Sequence, residues 1–317
     1  MNVRASRWVH IRSGWMGAVF FVLMVGDTNV YSLETRPATV AVLAASDVEA
    51  YAQAIEGLRS RMRDGSAAVR IFSLERRAGQ PGVPAALVKE PKILVVAMGS
   101  EAARALSESA VEAPVVYTMT LRADAALVPA PHQKMVSTIT LDVPVEALAA
   151  RLKEVFPGKN RLGIIRQTQW KGLTAARLQA EARQSGLTAT VVECGRPEDL
   201  LRVFLSLKDK VDFVWCLPDS SLYNSATVQA LLIASLNNRV PVVGFSASFV
   251  RAGALLGVYA DFREIGSQTA DVIHSYLADQ PVASVQAPRS FEVAVNQRVA
   301  RLLGLQPALS KEVLLFR

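Results

Sequence analysis

Cysteine and histidine are scarce in this chain. Its 317 residues hold two cysteines, Cys194 and Cys216, and three histidines. His10 falls in the N-terminal leader described below. His132 and His274 stand far apart and show no metal-ligand spacing. The patterns H-E-x-x-H, C-x-x-C, G-x-S-x-G, G-x-G-x-x-G and a Gly-Lys-Ser/Thr phosphate loop are all absent. No pair of carboxylates falls together as general acid–base chemistry requires. These absences argue against an enzyme and call for no metal and no cofactor. A dense basic run interleaved with aromatics is also missing, although the net charge is +7, so no nucleic-acid surface is expected. Nor is there an apolar run long enough to span a bilayer comfortably. The longest candidate, Trp15 to Gly26, has twelve residues.

That short run has a different use. Met1 to Gly14 carries Arg4, Arg7 and Arg12 and no acid, so the two segments together read as a signal peptide over 1–32. Cleavage after Ser32 places Val30 at the −3 position, an imperfect fit that leaves an uncleaved membrane anchor as the alternative. No cysteine lies near the run, which excludes a lipoprotein route. Without the leader the net charge falls to +5, spread through helical stretches such as Arg59 to Arg63.

What remains is 51% hydrophobic and 20% charged over the whole chain, a globular profile large enough for two α/β domains. Short apolar runs alternate with longer amphipathic ones. Strands are expected at 39–44, 69–74, 92–98 and 114–119, with helices between them, one capped by Asp47 and one opened by Gly99-Ser100. A proline- and glycine-rich stretch occupies 79–84. The pattern restarts with an amphipathic helix from Val145 to Phe156, ended by Pro157-Gly158. Strands then follow at 161–166, 188–193, 213–217 and 241–245, with helices at 170–185, 197–207 and 222–238. Repeated β-α-β units imply an α/β fold with parallel sheets and helices on both faces. Past Gly253 come a strand at 255–259, a helix at 263–278, an alternating segment at 290–295 that reads as an edge strand, and a tail helix at 299–303. These last pieces are able to cross between the halves. The two cysteines end strands that a third strand separates. Two strand spacings exceed disulfide reach, so buried free thiols are favoured over a bridge.

The segments GKNRLGII (158–165), VDFVWCLPDSS (211–221), VPVVGFSASFVRAGALLGVYADFREIGSQTADVI (240–273) and RSFEVAVNQRVARLLGL (289–305) resemble one family. It is the ABC-transporter substrate-binding family with the type I periplasmic-binding fold, which includes aromatic amino-acid binders. The resemblance runs from about Thr39 to the C-terminus and is most specific from Val240 to Leu305. It implies two Rossmann-like lobes joined by hinge strands, with 38–138 and 262–281 in the first lobe and 139–261 and 282–317 in the second. It implies a periplasmic protein, acting as a monomer. Such a protein would hold a small molecule, amino-acid-like or a small anion, between its lobes and deliver it to an ABC permease in the inner membrane. The chain departs from the family where Leu74 to Lys89 is abbreviated, where only Ala45-Ser46-Asp47 follows the first strand, and where Arg166-Gln167-Thr168 replaces Tyr-Asn-Pro. These departures motivate the alternative of a sensing or envelope accessory protein that kept the fold without transport.

In open α/β sheets ligands gather at the carboxyl ends of the strands. That rule selects Ser46, Ser100, Thr118 and Thr120 from the first lobe, and Gln167, Trp170, Asp219, Ser220 and Ser246 from the second. Ser100 at a helix start could bind a carboxylate or serve as a plain N-cap. Thr118 and Thr120 could offer hydroxyls or be ordinary strand-end threonines. Asp219 could pair with an amine or cap the helix that follows. Trp170 could stack on a flat ligand or pack at a helix start. Arg166 is expected to face the cleft or an acid. The expectation that joins them is that Ser100, Thr118 and Asp219 reach the walls of one crevice.

Overall fold

The structure, a computed structural model, describes residues 39–45, 48–63, 65–77, 79–122, 130–310 and 313–316. The expected leader at 1–32 and the expected cap Asp47 lie outside the described residues.

From the N-terminal side the chain runs through β1 (Thr39–Ala44), α1 (Glu49–Arg61), β2 (Ala68–Ser73), a hairpin of β3 (Glu75–Arg77) and β4 (Gln80–Gly82), α2 (Ala85–Lys89), β5 (Leu94–Met98), α3 (Ser100–Ser107), β6 (Val115–Thr120) and β7 (Met135–Thr140). It continues through α4 (Val145–Val155), β8 (Arg161–Gln167), α5 (Ala175–Gln184), β9 (Thr188–Cys194), a 3₁₀ turn, α6 (Leu200–Leu205), β10 (Phe213–Cys216), α7 (Ser225–Asn238), β11 (Val242–Gly244), α8 (Ala247–Ala252) and β12 (Leu256–Ala260). The last part is α9 (Phe262–Leu277), β13 (Val285–Gln286), β14 (Phe291–Asn296), α10 (Gln297–Leu302) and β15 (Val313–Phe316).

Two main sheets result. The first has the order β13-β7-β6-β5-β1-β2 and is parallel throughout. The second has the order β15-β14-β12-β11-β10-β8-β9, with one antiparallel pairing, β12 with β14. The central strands β1, β5, β6 and β10 are buried almost end to end because helices cover both of their faces, which is why they read as unbroken apolar runs. On the first sheet, Val40, Val42, Val96 and Val116 pack toward α1 and α9, while Leu43, Val95, Val115 and Tyr117 pack toward α2 and α3. On the second, Leu162, Ile164 and Phe213 pack toward α4 and α5, and Ile165, Val214 and Val242 toward α6 and α7.

The chain crosses between the sheets three times: at 141–144, at Asp261, and at 287–290. The expected lobe edges differ from these crossings. β7 stays in the first sheet to Thr140, and β13 pairs with β7 rather than joining the second sheet. One hydroxyl and one backbone bond hold the entry to this pairing: Ser137 Oγ donates to the Ala283 carbonyl at 2.7 Å, and the Ser284 carbonyl accepts from Thr138 N–H at 2.8 Å. The segment at 290–295 is not an edge strand either, because β15 pairs along its outer side. The cysteines are free and buried, and β8 lies between their strands as expected. Burial pushes the Cys216 thiol up to about 12.

The return at Asp261 is secured by α9, which packs flat on α1 through glycine. A Cβ at Gly57 would sit 2.0 Å from the Arg263 carbonyl oxygen, and one at Gly266 would sit 1.9 Å from that of Ala54. Backbone, unlike a flexible side chain, has nowhere to go. Gly266→Ala is therefore expected to destabilise the fold by at least about 2 kcal/mol, since overpacking forces the helices apart. Denaturant unfolding checks this, and a change below about 0.5 kcal/mol would show that the contact tolerates separation.

Candidate functional site

The carboxyl ends of both sheets meet at a cavity of about 230 Å³. Arg122 and Asp142, just past β6 and β7, line one side. Trp170, Leu217 and Pro218, just past β8 and β10, line the other, and Leu173, Leu178 and Trp215 form an apolar floor. The crossing segment Val143-Pro144 closes the end near α5.

Each charged group here has a different degree of compensation. Arg177 Nε and Glu181 Oε1 are 2.7 Å apart on one helix face and neutralise each other. The Asp142 carboxylate accepts the Arg122 backbone N–H. Burial nevertheless pushes the Asp142 carboxyl above the ordinary carboxylate value, and that hydrogen bond and the Arg122 charge oppose the shift without cancelling it. The Asp142 carboxylate thus lines the cavity together with the Arg122 guanidinium and the indoles of Trp170 and Trp215. Its position was not legible from sequence, because Asp142 follows β7, a strand whose Ser137, Thr138 and Thr140 hide its apolar alternation. The left-handed backbone of Met119, φ 56°, marks a bulge in the same place, between Thr118 and Thr120.

The expected residues fall into several groups. Trp170 lines the cavity. It sits in the turn before α5, with its ring over Gly172, where a Cβ would come within 2.2 Å of the ring. Its carbonyl accepts from Arg166 Nη2 at 3.2 Å. Arg166 Nη1 lies 2.9 Å from Glu193 Oε1, so Arg166 does face an acid, although its buried Nε has no partner. Thr120 is buried at the end of β6 with an unpartnered hydroxyl. Thr118 turns the other way. Its hydroxyl meets that of Thr269 in α9 at 3.0 Å, inside the core. Ser100, Thr118 and Asp219 therefore do not share one crevice, because the Thr118 hydroxyl is spent on α9 in the core and the bulge at Met119 separates it from Thr120.

Ser100 is half-buried at the first position of α3. Before it, Gly99 has φ 87° and leaves room for the Tyr51 hydroxyl, 1.9 Å from where a Cβ would be. Burial pushes the Tyr51 hydroxyl pKa up, and Glu101 adds to the shift. Asp219 does not cap α7. Asn224 does, with a reciprocal bond from Thr227. Asp219 Oδ1 instead accepts from Ser221 N–H at 2.9 Å and Ser221 Oγ at 2.6 Å, closing a tight turn that exposes Ser220. Gln167 accepts from Gln169 N–H, and Ser246 caps α8 by accepting from Phe249 N–H at 3.2 Å. Ser46 lies outside the described residues. Among the described residues no group of three or more potential metal ligands clusters, and no helix is long and apolar enough to cross a membrane.

A family model described as ABC transporter substrate binding protein matches residues 82–315. No curated protein matches the chain. Several solved structures are similar in fold. A conserved domain protein from Vibrio cholerae is 20% identical with a TM-score of 0.56, covering 86% of this chain and 96% of its own. The ligand-free, open form of CD0873, a substrate binding protein with adhesive properties from Clostridium difficile, is 15% identical with a TM-score of 0.64, covering 88% and 99%. An ABC domain from Streptococcus pneumonia in complex with L-Trp is 16% identical with a TM-score of 0.53, covering 84% and 95%.

The burial of Asp142 has a consequence for stability. A carboxyl whose folded pKa is raised destabilises the folded state as pH rises past its unfolded value of 3.8. Asp142→Asn keeps an acceptor for the Arg122 N–H and removes that cost. It should therefore stabilise the ligand-free protein at pH 7, with the gain vanishing below the ordinary carboxylate range. Thermal unfolding at both pH values checks the sign, and a destabilised variant at pH 7 would contradict it.

Proposed function

The chain belongs to the ABC transporter substrate-binding protein family, with the type I periplasmic-binding fold, and from that premise we propose that it captures a small amino-acid-like solute at the meeting point of its two sheets. Members of this family are binding proteins rather than enzymes, and they present a small-molecule ligand to an ABC permease. The observation that carries the reading is the cavity at the carboxyl ends. The Arg122 guanidinium suits a ligand carboxylate, the half-compensated Asp142 suits an ammonium, and Trp170 offers an indole face. The L-Trp bound to the pneumococcal neighbour agrees with this chemistry. A ligand bearing only negative charge would meet Asp142 unfavourably, so of the two expected classes the amino-acid-like one fits better.

On this reading, hinge motion about the three crossings closes the lobes on the ligand. Closure would bring Ser100, Thr120, Gln167, Asp219, Ser220 and Ser246 toward it as secondary contacts. Thr118, spent on α9, takes no part. Export through the N-terminal segment to the periplasm, monomeric action and an inner-membrane permease as partner complete the proposal.

Native mass spectrometry of co-purified ligand, followed by thermal-shift titration with amino acids, purines and small anions, tests it. We expect stabilisation by a zwitterion, with Trp170→Ala weakening affinity at least about tenfold, the loss of one stacked aromatic contact and its burial. No stabilisation by any of these at millimolar concentration would refute the solute-binding reading.

A further inference from the structure

A second, larger cavity of about 510 Å³ opens at the opposite pole of the second sheet, beside the amino ends of β8, β10 and β11. Four cations line it: Lys159, Arg161, Lys208 and Arg239. The acids are Asp209 and Asp212. Asp212 is already committed. Its Oδ1 lies 3.1 Å from Arg161 Nη2 and 3.7 Å from Lys159 Nζ, and its Oδ2 accepts the backbone N–H groups of Asn160 and Arg161. Burial raises its pKa, but these hydrogen bonds outweigh burial and hold the carboxyl below its ordinary value. Asp212 thus remains an ion with no acceptor capacity to spare.

The other two cations are different. The side chains of Lys208 and Arg239 form no ion pair or hydrogen bond with any described residue. Helix ends account for cations being attracted here, since α6 and α7 finish at this pole. They do not give those cations a bonding partner. Four carbonyls near these ends are already accepting: Leu236 and Ser235 from Arg239 N–H and Val240 N–H, and Leu205 and Leu207 from Lys208 N–H and Lys210 N–H. Asp209 Oδ is the one acidic acceptor left, and it stands exposed on the rim. Asn237 and Asn238 also line the cavity but carry no charge, so the charged groups left without an ion pair are two cations, Lys208 and Arg239, against the one exposed carboxylate of Asp209.

We propose that this cavity is a second binding site, for an acceptor-rich anion bearing phosphate, held by the Arg239 guanidinium and the Lys208 ammonium. A planar guanidinium and a mobile ammonium are the two side chains that suit phosphate oxygens best. The site lies at the amino ends of the strands, so it is separate from the cavity at their carboxyl ends and works whether or not that cavity takes a solute. The phosphate could come from a free organic phosphate or from an acidic lipid headgroup.

The test uses the full chain, with inorganic pyrophosphate in calorimetric titration and with vesicles of phosphatidylglycerol in phosphatidylcholine in co-sedimentation, against pure phosphatidylcholine. Saturable binding of pyrophosphate alone assigns a soluble ligand. Binding of the anionic vesicles alone assigns a headgroup. Either should weaken at least about tenfold in Lys208→Gln/Arg239→Asn, where asparagine tolerates the left-handed backbone, φ 53°, at position 239. Asp209→Asn, which removes the competing negative charge at a similar left-handed position, should tighten binding about twofold. Trp170→Ala should leave it unchanged. Absence of binding to both probes, or binding that the double variant does not weaken, would overturn the proposal.

Discussion

The zero-clearance contact of α9 with α1 governs the rest of this structure. Once the chain has built the second sheet as far as β12, Asp261 turns it back, and α9 must seat against a helix laid down two hundred residues earlier. Gly57 and Gly266 let the two backbones touch, and the touching area buries Leu58, Ile265, Val272 and Ile273. Around that contact sit Arg263 with Glu56 and Arg61 with Asp271, exposed pairs that add little on their own but suit one register of the helices. With α9 seated, β13 can reach the open edge of β7, and the last crossing returns the chain to β14. Three crossings in one region are what hold the carboxyl ends of the two sheets against one another.

Function and stability pull apart at that meeting point. Burial holds the Asp142 carboxyl above its ordinary pKa there, and Thr120 and Arg166 each keep a buried polar atom without a partner. Some buried polar groups elsewhere are satisfied, as where Ser235 closes on the Val240 carbonyl at 2.7 Å and Asn296 on that of Val250 at 3.0 Å, while Tyr117, Gln133, Tyr259 and Gln268 also keep a buried polar atom without a partner. On the proposed reading, the Asp142 carboxyl is the group there whose cost a bound ammonium would offset.

The second sheet has two ends with different chemistry, and the direction of its strands explains the difference. The parallel strands β8 to β12 send the N-termini of the helices that follow them to one pole and their C-termini to the other, while β14 runs against them and starts α10 at the amino pole. The carboxyl pole collects turns rich in hydroxyls, amides and tryptophan. The amino pole collects carbonyl ends and, in answer, lysine and arginine.

Much of the fold was legible in the amino-acid order. Runs such as LVVAM and FVWC are apolar because both sheet faces are covered, and that alone implies helices on each side. The restart at Val145, the free cysteines on either side of β8, and the absence of catalytic motifs all followed from residues in order. β7 escaped notice because Ser137, Thr138 and Thr140 spend their hydroxyls or backbone on a strand that arrives 146 residues later. The edge role expected for 290–295 failed for the same reason, since β15 comes from the far C-terminus. Strand ends could be named from sequence, but the face each side chain takes could not. A bulge at Met119 separates Thr118, bonded to α9, from Thr120, and no local pattern announces it. Amino-acid order alone marks the buried central strands and most of the amphipathic helices, because those depend on neighbours a few residues away. That Asp142 and Trp170 share a cavity comes from the packing of the whole chain, because it depends on where three distant crossings bring the two sheets together.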